Sequence, residues 1–445
     1  MKIHCIGIGG IGVSALARYY ITKGHRITGS DLGESEIIDG LRKFGAEIIL
    51  GKQQTGNIPE DADLVIYSAA VTEDNPELKR AQEIRVERPT LEVLTYAQAL
   101  GRLTREYFTI AVSGTHGKST TVAMLSLVLI EAGLDPTVIV GTKLNEFNDS
   151  NFRLGSGKYL IIEADEWQGS FLNYHPDIIV LTNIEEEHLD YYKDLSHIIE
   201  TYQKYLDCLS PSGTLVFNED DHNIIRLLST KIIKKRIPFS INQKESEQIA
   251  KVIKIPGQHN IKNALAVLGV ERALEIPDND LIYRAIGQYH SCWRRFDCRQ
   301  GKIDNCEFML IHDYAHHPTE LEALFQALEN NFKDSKIWFI FQPHQYQRTF
   351  YFFDRFVKVF RDLDRTRNEY QAIITDIYDV PGREQASLKN KVNARDLVKA
   401  IDRSHVIYWP FNQLDQLLRE KVKPRDIVVA AGAGNIYQWA HKLEK

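Results

Sequence analysis

The stretch Ser113-Gly114-Thr115-His116-Gly117-Lys118-Ser119-Thr120-Thr121 holds the residue types most able to do chemistry. Glycines let a backbone fold closely around an anion, a lysine ammonium neutralises charge, and a serine hydroxyl can ligate Mg2+. Phe108 to Val112, just before it, is a β-branched and aromatic run that reads as a buried strand. Val122 to Ile130, just after it, is almost wholly apolar and reads as a helix buried on several sides, with Gly133 as its stop. Strand, glycine loop, Lys-Ser and helix together bind a nucleoside triphosphate. The usual pattern has a glycine five residues before Gly117, where this chain has Val112; its turn glycine is Gly114. The plainer alternative is a glycine-bearing turn with a surface lysine. Gly-Lys-Ser landing where strand meets helix favours the phosphate loop.

A second glycine turn opens the chain. Lys2 to Ile6 reads as a strand, and Gly7-Ile8-Gly9-Gly10-Ile11-Gly12 as a turn into a helix running to about Lys23. Arg26 to Gly29 reads as the next strand, with Asp31 at its end. This is a dinucleotide fingerprint, with an acidic residue roughly 20 positions on for a ribose hydroxyl. Read alone it suits NAD. The same turn binds any diphosphate, including that of a UDP-sugar, and it also serves plain helix–strand packing. Leu64 to Tyr67 running into Ser68-Ala69-Ala70, then a helix near Asn75 to Gln82, complete a small α/β domain ending near Leu100.

The elements after the phosphate loop must bring its partners. Thr137 to Val140 exits into Gly141-Thr142-Lys143-Leu144-Asn145, polar enough for substrate contacts. Tyr159 to Ile162 runs into Glu163-Ala164-Asp165-Glu166, and Ile178 to Leu181 into Thr182-Asn183-Ile184-Glu185-Glu186-Glu187-His188-Leu189-Asp190. These are expected to be adjacent strands whose carboxylate-bearing exits form a Mg2+ site beside the loop. Glu163, at a strand end, is the favoured ligand, while Glu185 to Glu187 taken singly read as solvated loop. His188 alone reads as structural or as holding a water. Pro256-Gly257-Gln258-His259-Asn260-Ile261-Lys262-Asn263 opens a helix whose amides could meet a base, with N-capping by Asn260 as the alternative. Arg294 and Arg295 precede a domain junction. Paired arginines are usually surface charge, but a guanidinium also suits a γ-phosphate.

The remaining chain reads as α/β again. Met309–Ile311, 337–341, 372–377 and 427–431 read as strands. Their exits are His312-Asp313-Tyr314-Ala315-His316-His317-Pro318-Thr319-Glu320, Gln342 to Thr349, Tyr378 to Glu384, and Gly432 to Ile436. In an open parallel sheet these share one edge, where ligands bind.

Composition sets the frame. A chain of 445 residues suggests about three domains. A net charge of −6 argues against a general nucleic-acid or anionic-membrane binder and leaves a local basic site open. The five cysteines lack paired CxxC spacing, which points to a reducing cytosol and away from zinc. No apolar run approaches the roughly 20 residues of a membrane span, and no signal-peptide core precedes the first turn. A cytoplasmic protein is expected.

In order, GIGGIG, GTHGKST, EADE, TNIEEEH, PGQHNIKNA, RRFD, HDYAHHPTE, FQPHQYQRT and GAGNI span essentially the whole chain. Singly weak, together they resemble the Mur ligase family of peptidoglycan synthesis. The resemblance implies three α/β domains: a Rossmann-like UDP-sugar-binding domain over 1–100, a central P-loop ATPase domain with a parallel-rich sheet over 101–296, and a Rossmann-like amino-acid domain over 297–445. It implies ATP and Mg2+, with UDP-N-acetylmuramate and L-alanine as substrates joined through an acyl phosphate, in a monomer or weak homodimer.

By the same resemblance, Gly7, Gly9, Gly10, Ile11, Gly12, Asp31 and Ser68 take the UDP-sugar. Gly114, Thr115, His116, Gly117, Lys118, Ser119 and Thr120 take the triphosphate, with Asn260 and Asn263 near the adenine. Ser119 (or Thr120) and Glu163 hold one Mg2+ and His188 helps hold a second. Arg295 reaches the γ-phosphate, and His316 or His317, with Arg348, completes the acceptor half on closure. Three residues depart from the family pattern: Ser119 for the commoner threonine, Gln345 for an arginine, and Trp167 for a small polar residue after EADE. Alternatives are a recycling ligase that attaches a peptide to the same UDP-sugar, a non-catalytic nucleotide-binding regulator, and an NAD oxidoreductase resting on the first turn alone.

Overall fold

The computed structural model describes residues 1–189, 191–277, 279–333, 335–363, 369–380 and 386–445. Asp190 and residues 381–384 of the Tyr378–Glu384 segment therefore lie outside the described residues. The chain forms three sheets in two compact units. One unit holds Met1–Glu187, Asp194–Ile253 and Ile261–Tyr289; the other holds His188–Lys193, Lys254–Asn260 and His290–Lys445. Among the described residues, no helix is long and apolar enough to cross a membrane.

The first sheet contains β1 (Lys2–Ile6), β2 (Arg26–Asp31), β3 (Glu47–Leu50), β4 (Leu64–Tyr67) and β5 (Glu92–Thr95), all parallel, in the order 3-2-1-4-5. The order reverses at β1, so the Gly7–Gly12 turn leaves at the crevice where doubly wound sheets bind ligands. The helix Pro76–Glu87 lays Leu78, Ala81 and Ile84, three residues apart, against Ile6 and Val65.

The second sheet contains β6 (Phe108–Ser113), β7 (Thr137–Leu144), β8 (Ser150–Arg153), β9 (Tyr159–Glu163), β10 (Ile178–Leu181), β11 (Thr214–Asn218) and β12 (Lys235–Phe239). Their order is 12-11-10-6-9-7-8, parallel except for the β7–β8 pair. This corrects one expectation: the two acid-bearing strands, β9 and β10, are not adjacent. β6 lies between them, so the phosphate loop leaves from the middle of the sheet with a carboxylate-bearing exit on each side. Chain order could not show this, because parallel crossovers insert strands between sequence neighbours. The helix opening this domain's later part runs over Gln258–Leu274, so Asn260 lies inside it and does not cap it.

The third sheet contains β13 (Asp297–Ile303), β14 (Cys306–Asp313), β15 (Lys336–Phe341), β16 (Glu369–Ile374), β17 (Val406–Tyr408) and β18 (Ile427–Ala431), in the order 13-14-18-15-16-17. Only the β13–β14 hairpin is antiparallel. In β15, Ile337, Phe339 and Phe341 enter one core while Trp338 and Ile340 enter the core on the other face. Burial on both faces explains why this strand is continuously apolar.

Candidate active site

The helix Lys118–Glu131 begins at Gly117, with φ +85° and no side-chain cap among the described residues. Its first N–H groups therefore point out of the helix start toward the loop. Both loop glycines are required by space as well as by φ. A Cβ at Gly114 (φ +133°) would stand 2.1 Å from Thr182 Oγ1, and one at Gly117 would stand 2.4 Å from Asn263 Oδ1. The exit of β10 fixes the loop. Thr115 and His116 N–H donate to the Asn183 carbonyl and Oδ1 at 3.0 and 2.9 Å, and the His116 carbonyl accepts from Thr182 Oγ1 and Asn183 Nδ2 at 2.7 and 2.9 Å. Glu185 N–H donates to Thr115 Oγ1 at 2.8 Å.

Lys118 Nζ donates to the Gly114 carbonyl at 2.7 Å, the Thr115 carbonyl at 3.3 Å and Glu166 Oε2 at 3.0 Å, with Asp165 Oδ2 at 3.9 Å. Burial alone would lower this ammonium's pKa, but the carboxylates of Glu166 and Asp165 outweigh it and hold the pKa above its ordinary value. Ser119 is hydrogen-bonded to Glu163, which also accepts from Gly141 N–H at 2.9 Å. Burial nevertheless raises the Glu163 carboxyl, against the lowering by Ser119, Gly141 and Lys118. A carboxylate left short of positive charge, touching a hydroxyl beside a phosphate loop, is a donor set that fits a hard divalent cation. Thr120 is buried in the helix's first turn. Of the acids on the other side, Glu186 is exposed and Glu187 is buried.

In the first sheet, Gly7 has φ +73° and lies 3.0 Å, measured from its would-be Cβ, from Ser68 Cβ. Gly7 and Ile8 N–H donate to the Ser30 carbonyl at 2.9 and 3.0 Å, and Gly10 N–H donates to the Gly7 carbonyl at 3.1 Å. Asp31 holds the turn through Gly9 N–H at 2.8 Å and Leu32 N–H at 2.7 Å, an internal role beyond the ribose contact expected of it. The Ile11 carbonyl accepts from Ser14 Oγ at 2.8 Å and from Asn151 Nδ2 of β8. Ser68 Oγ accepts from Ala70 N–H at 3.3 Å. Gly12 leaves room for Tyr96, whose Cζ would be 2.6 Å from a Cβ there. Tyr96 in turn has its hydroxyl pKa raised by burial and by the charges of Glu163 and Asp165. It thus stands between the Gly7–Gly12 turn and the acids Glu163 and Asp165.

The other unit carries the remaining candidates. His188, at φ +53°, accepts Tyr191 and Tyr192 N–H on its carbonyl, both at 2.9 Å. The Asn260 side chain donates to the Pro256 carbonyl at 2.6 Å. Arg294 is buried: it donates to the Gly432 carbonyl at 2.9 Å and stacks on Trp293, Tyr314 and Tyr437. Arg295 faces Glu320 at 3.4 Å, and its guanidinium is held charged by Glu320 and Asp313 against the cost of burial. Burial pushes the Asp313 carboxyl up to about 6, with Arg295 opposing. His316 lies 2.8 Å from the Tyr314 carbonyl and 3.2 Å from Glu320. His317 is fully buried and caps the helix Pro318–Asn331, Nδ1 accepting from Thr319 N–H. Arg348 Nη1 sits 3.0 Å from His344 Nδ1, and His344 stacks on Tyr378. Gln345, the departure from arginine, holds φ +71°. His188, Arg294, Phe296 and Gln345 are all non-glycine residues at positive φ.

Glu166, Asn183, Tyr96, Glu320 and His344 are engaged here and were not singled out by sequence reasoning. EADE and TNIEEEH contain the first two, but which member of each motif meets the loop depends on where β9 and β10 end and how the chain turns after them.

Residues 2–108 match the family model "Mur ligase family, catalytic domain", 112–271 "Mur ligase middle domain", and 294–434 "Mur ligase, glutamate ligase domain". The UDP-N-acetylmuramate–L-alanine ligases of Acetivibrio thermocellus and Clostridium tetani are each 36% identical to this chain, over 98% of it and 94% and 96% of theirs. The crystal structure of the UDP-N-acetylmuramate–alanine ligase of Thermotoga maritima superposes with a TM-score of 0.79 at 26% identity, over 100% of this chain and 98% of that one. A murein peptide ligase from Psychrobacter arcticus shares the fold, with a TM-score of 0.72 at 19% identity. The chain belongs to the Mur ligase family.

Proposed function

We propose that this protein joins L-alanine to the lactyl carboxylate of UDP-N-acetylmuramate at the expense of ATP, in the cytoplasm. A carboxylate does not react with an amine unaided. Transfer of the γ-phosphoryl group to the carboxylate oxygen releases ADP and leaves an acyl phosphate. Attack by the alanine nitrogen on the acyl carbon then expels phosphate, and the nitrogen gives up a proton. Positioning, and cations over developing charge, supply the acceleration.

In this reading Lys118 leaves its loop carbonyls and Glu166 for the β- and γ-phosphates, and the Gly7–Gly12 turn with Asp31 and Ser68 takes the UDP. Ser119 and Glu163 would hold Mg2+, which when bound neutralises phosphate charge; His188 is assigned to a second ion. Arg295 serves the γ-phosphate, and His316 and Arg348 serve the acceptor. His317, buried as a helix cap, acts by fixing the His316–Glu320 turn. The boundaries near residues 100 and 296 divide UDP-sugar, ATP and acceptor parts.

The observation that carries this reading is the Lys118–Ser119–Glu163–Glu166 cluster at the centre of the second sheet. It lies in a chain that matches alanine-adding ligases end to end. The test is phosphate release from ATP with and without UDP-N-acetylmuramate, and with each amino acid or peptide as acceptor. Release that depends on both the UDP-sugar and L-alanine is expected. Release with a peptide and not with alanine would assign the recycling reaction, and none at all would assign a regulator. In the same assay, Arg348→Ala should retain ATP affinity while losing most turnover.

A further inference from the structure

We propose that the turn between the helix His222–Leu228 and β12 docks this protein on an anionic lipid surface. The stretch from Arg226 to Pro238 contains Arg226, Lys231, Lys234, Lys235 and Arg236 and no acid, in a chain whose net charge is −6. Ile232, in the middle of it, is 97% exposed, and Ile225 on the preceding helix is 46% exposed. Lys231 pairs with Asp207 at 2.5 Å, and Arg236 donates to the Lys231 carbonyl. Arg226, Lys234 and Lys235 are exposed and have no carboxylate partner among the described residues.

β12 is an edge strand, and lysines on an edge ordinarily serve to prevent edge-to-edge pairing. That accounts for Lys235 and Arg236. It does not account for Ile232, because a bare isoleucine beside an edge invites the association the lysines oppose. An apolar tip flanked by cations is what interfacial docking requires. The isoleucine leaves water for the acyl boundary while the ammonium groups stay with headgroup phosphates. A nucleic acid would use the cations and have no use for the isoleucine, and vesicle binding separates a lipid surface from an acidic protein.

Placement fits as well. β12, β11, β10 and β6 are parallel, so the turn entering β12 lies at the amino edge of the sheet, opposite the carboxyl edge where the phosphate loop leaves β6. A docked molecule keeps that site in water.

The test is co-sedimentation with phosphatidylglycerol–phosphatidylcholine vesicles against phosphatidylcholine alone. Binding to the anionic vesicles only, weakened by salt, is expected. Lys234→Glu with Lys235→Glu should weaken it at least about 25-fold, taking about fivefold per cation removed. Ile232→Ser should weaken it severalfold, and Ile232→Trp should gain a blue-shifted emission with anionic vesicles. Lys43→Glu with Lys79→Glu, an exposed pair elsewhere, should bind normally, and ATP turnover should be unchanged throughout. The proposal falls if the protein does not bind anionic vesicles or if the control pair loses as much. It also falls if only the charge pair matters while Ile232→Ser binds normally and Ile232→Trp shows no blue shift. That last pattern would leave electrostatic adsorption without the insertion that the exposed isoleucine is assigned.

Discussion

Lys118 pairs with Glu166 and, in the proposed reading, also serves the triphosphate; one substitution would confound the two, and the structure allows them to be separated. Its side chain is 12% exposed and that of Glu166 is 3% exposed, with 3.0 Å between them. Removing one member of so buried a pair takes from the other its close counter-ion, at a cost of about 3 kcal/mol or more. Lys118→Met should therefore unfold earlier as well as lose turnover, by roughly 6 °C for a body of this size. Because the folded pKa of Lys118 is raised, the ammonium's contribution is complete at neutral pH. It fades only as pH rises past the unfolded value of 10.5 toward the folded one. Adding Glu166→Gln removes the carboxylate that Lys118 had faced, so the double variant should regain about 2 kcal/mol of the loss. It should remain inactive, because no ammonium is left for the phosphates. Calorimetry of the four ligand-free proteins at pH 7, with phosphate release measured on the same preparations, gives the cycle. A coupling below about 0.5 kcal/mol would mean that the pair does not carry the stability assigned to it. Recovered turnover in the double variant would remove Lys118 from the triphosphate site.

Three other perturbations follow from local geometry. His4 is fully buried in β1 against Thr28, and burial lowers its pKa from 6.5 to about 4. The unfolded chain therefore binds the extra proton first, and stability should fall by about 3 kcal/mol as pH drops from 6.5 to 4. His4→Asn should flatten that part of the urea midpoint profile, and an unchanged slope would refute the assignment. Glu163→Gln should raise the Mg2+ needed for half-maximal turnover roughly tenfold or more, and Glu186→Gln should leave it nearly alone. Equal titrations would place the metal on a different acid. Gly117→Ala should cost about 1–3 kcal/mol and raise the KM for ATP, since it combines a left-handed φ with a clash on Asn263. Asn263→Ala in the same chain should return part of the loss, which is measurable by the same melts.

The local code of this protein was legible residue by residue. The glycine turns, the helix after Lys118 and the strands β1, β4, β10 and β18 follow from turn chemistry and apolar runs, which depend on near neighbours in the chain. The order of the family's motifs was legible for the same reason. The β13–β14 hairpin was not anticipated, because Asp297–Ile303 is a half-exposed, charged edge strand with little apolar signal. What only the tertiary structure decided is partnership. Insertion of β6 between β9 and β10 put carboxylates on both sides of the phosphate loop, where chain order suggested a single adjacent pair. The end of β9 at Glu163 gave that carboxylate to Ser119, and the turn after it carried Glu166 to Lys118, from one four-residue motif. Packing made Arg294 a buried tie to Gly432, leaving its neighbour Arg295 on Glu320. Each of these pairings joins residues distant in the chain, so a sequence can name the motif while only the fold chooses the residue.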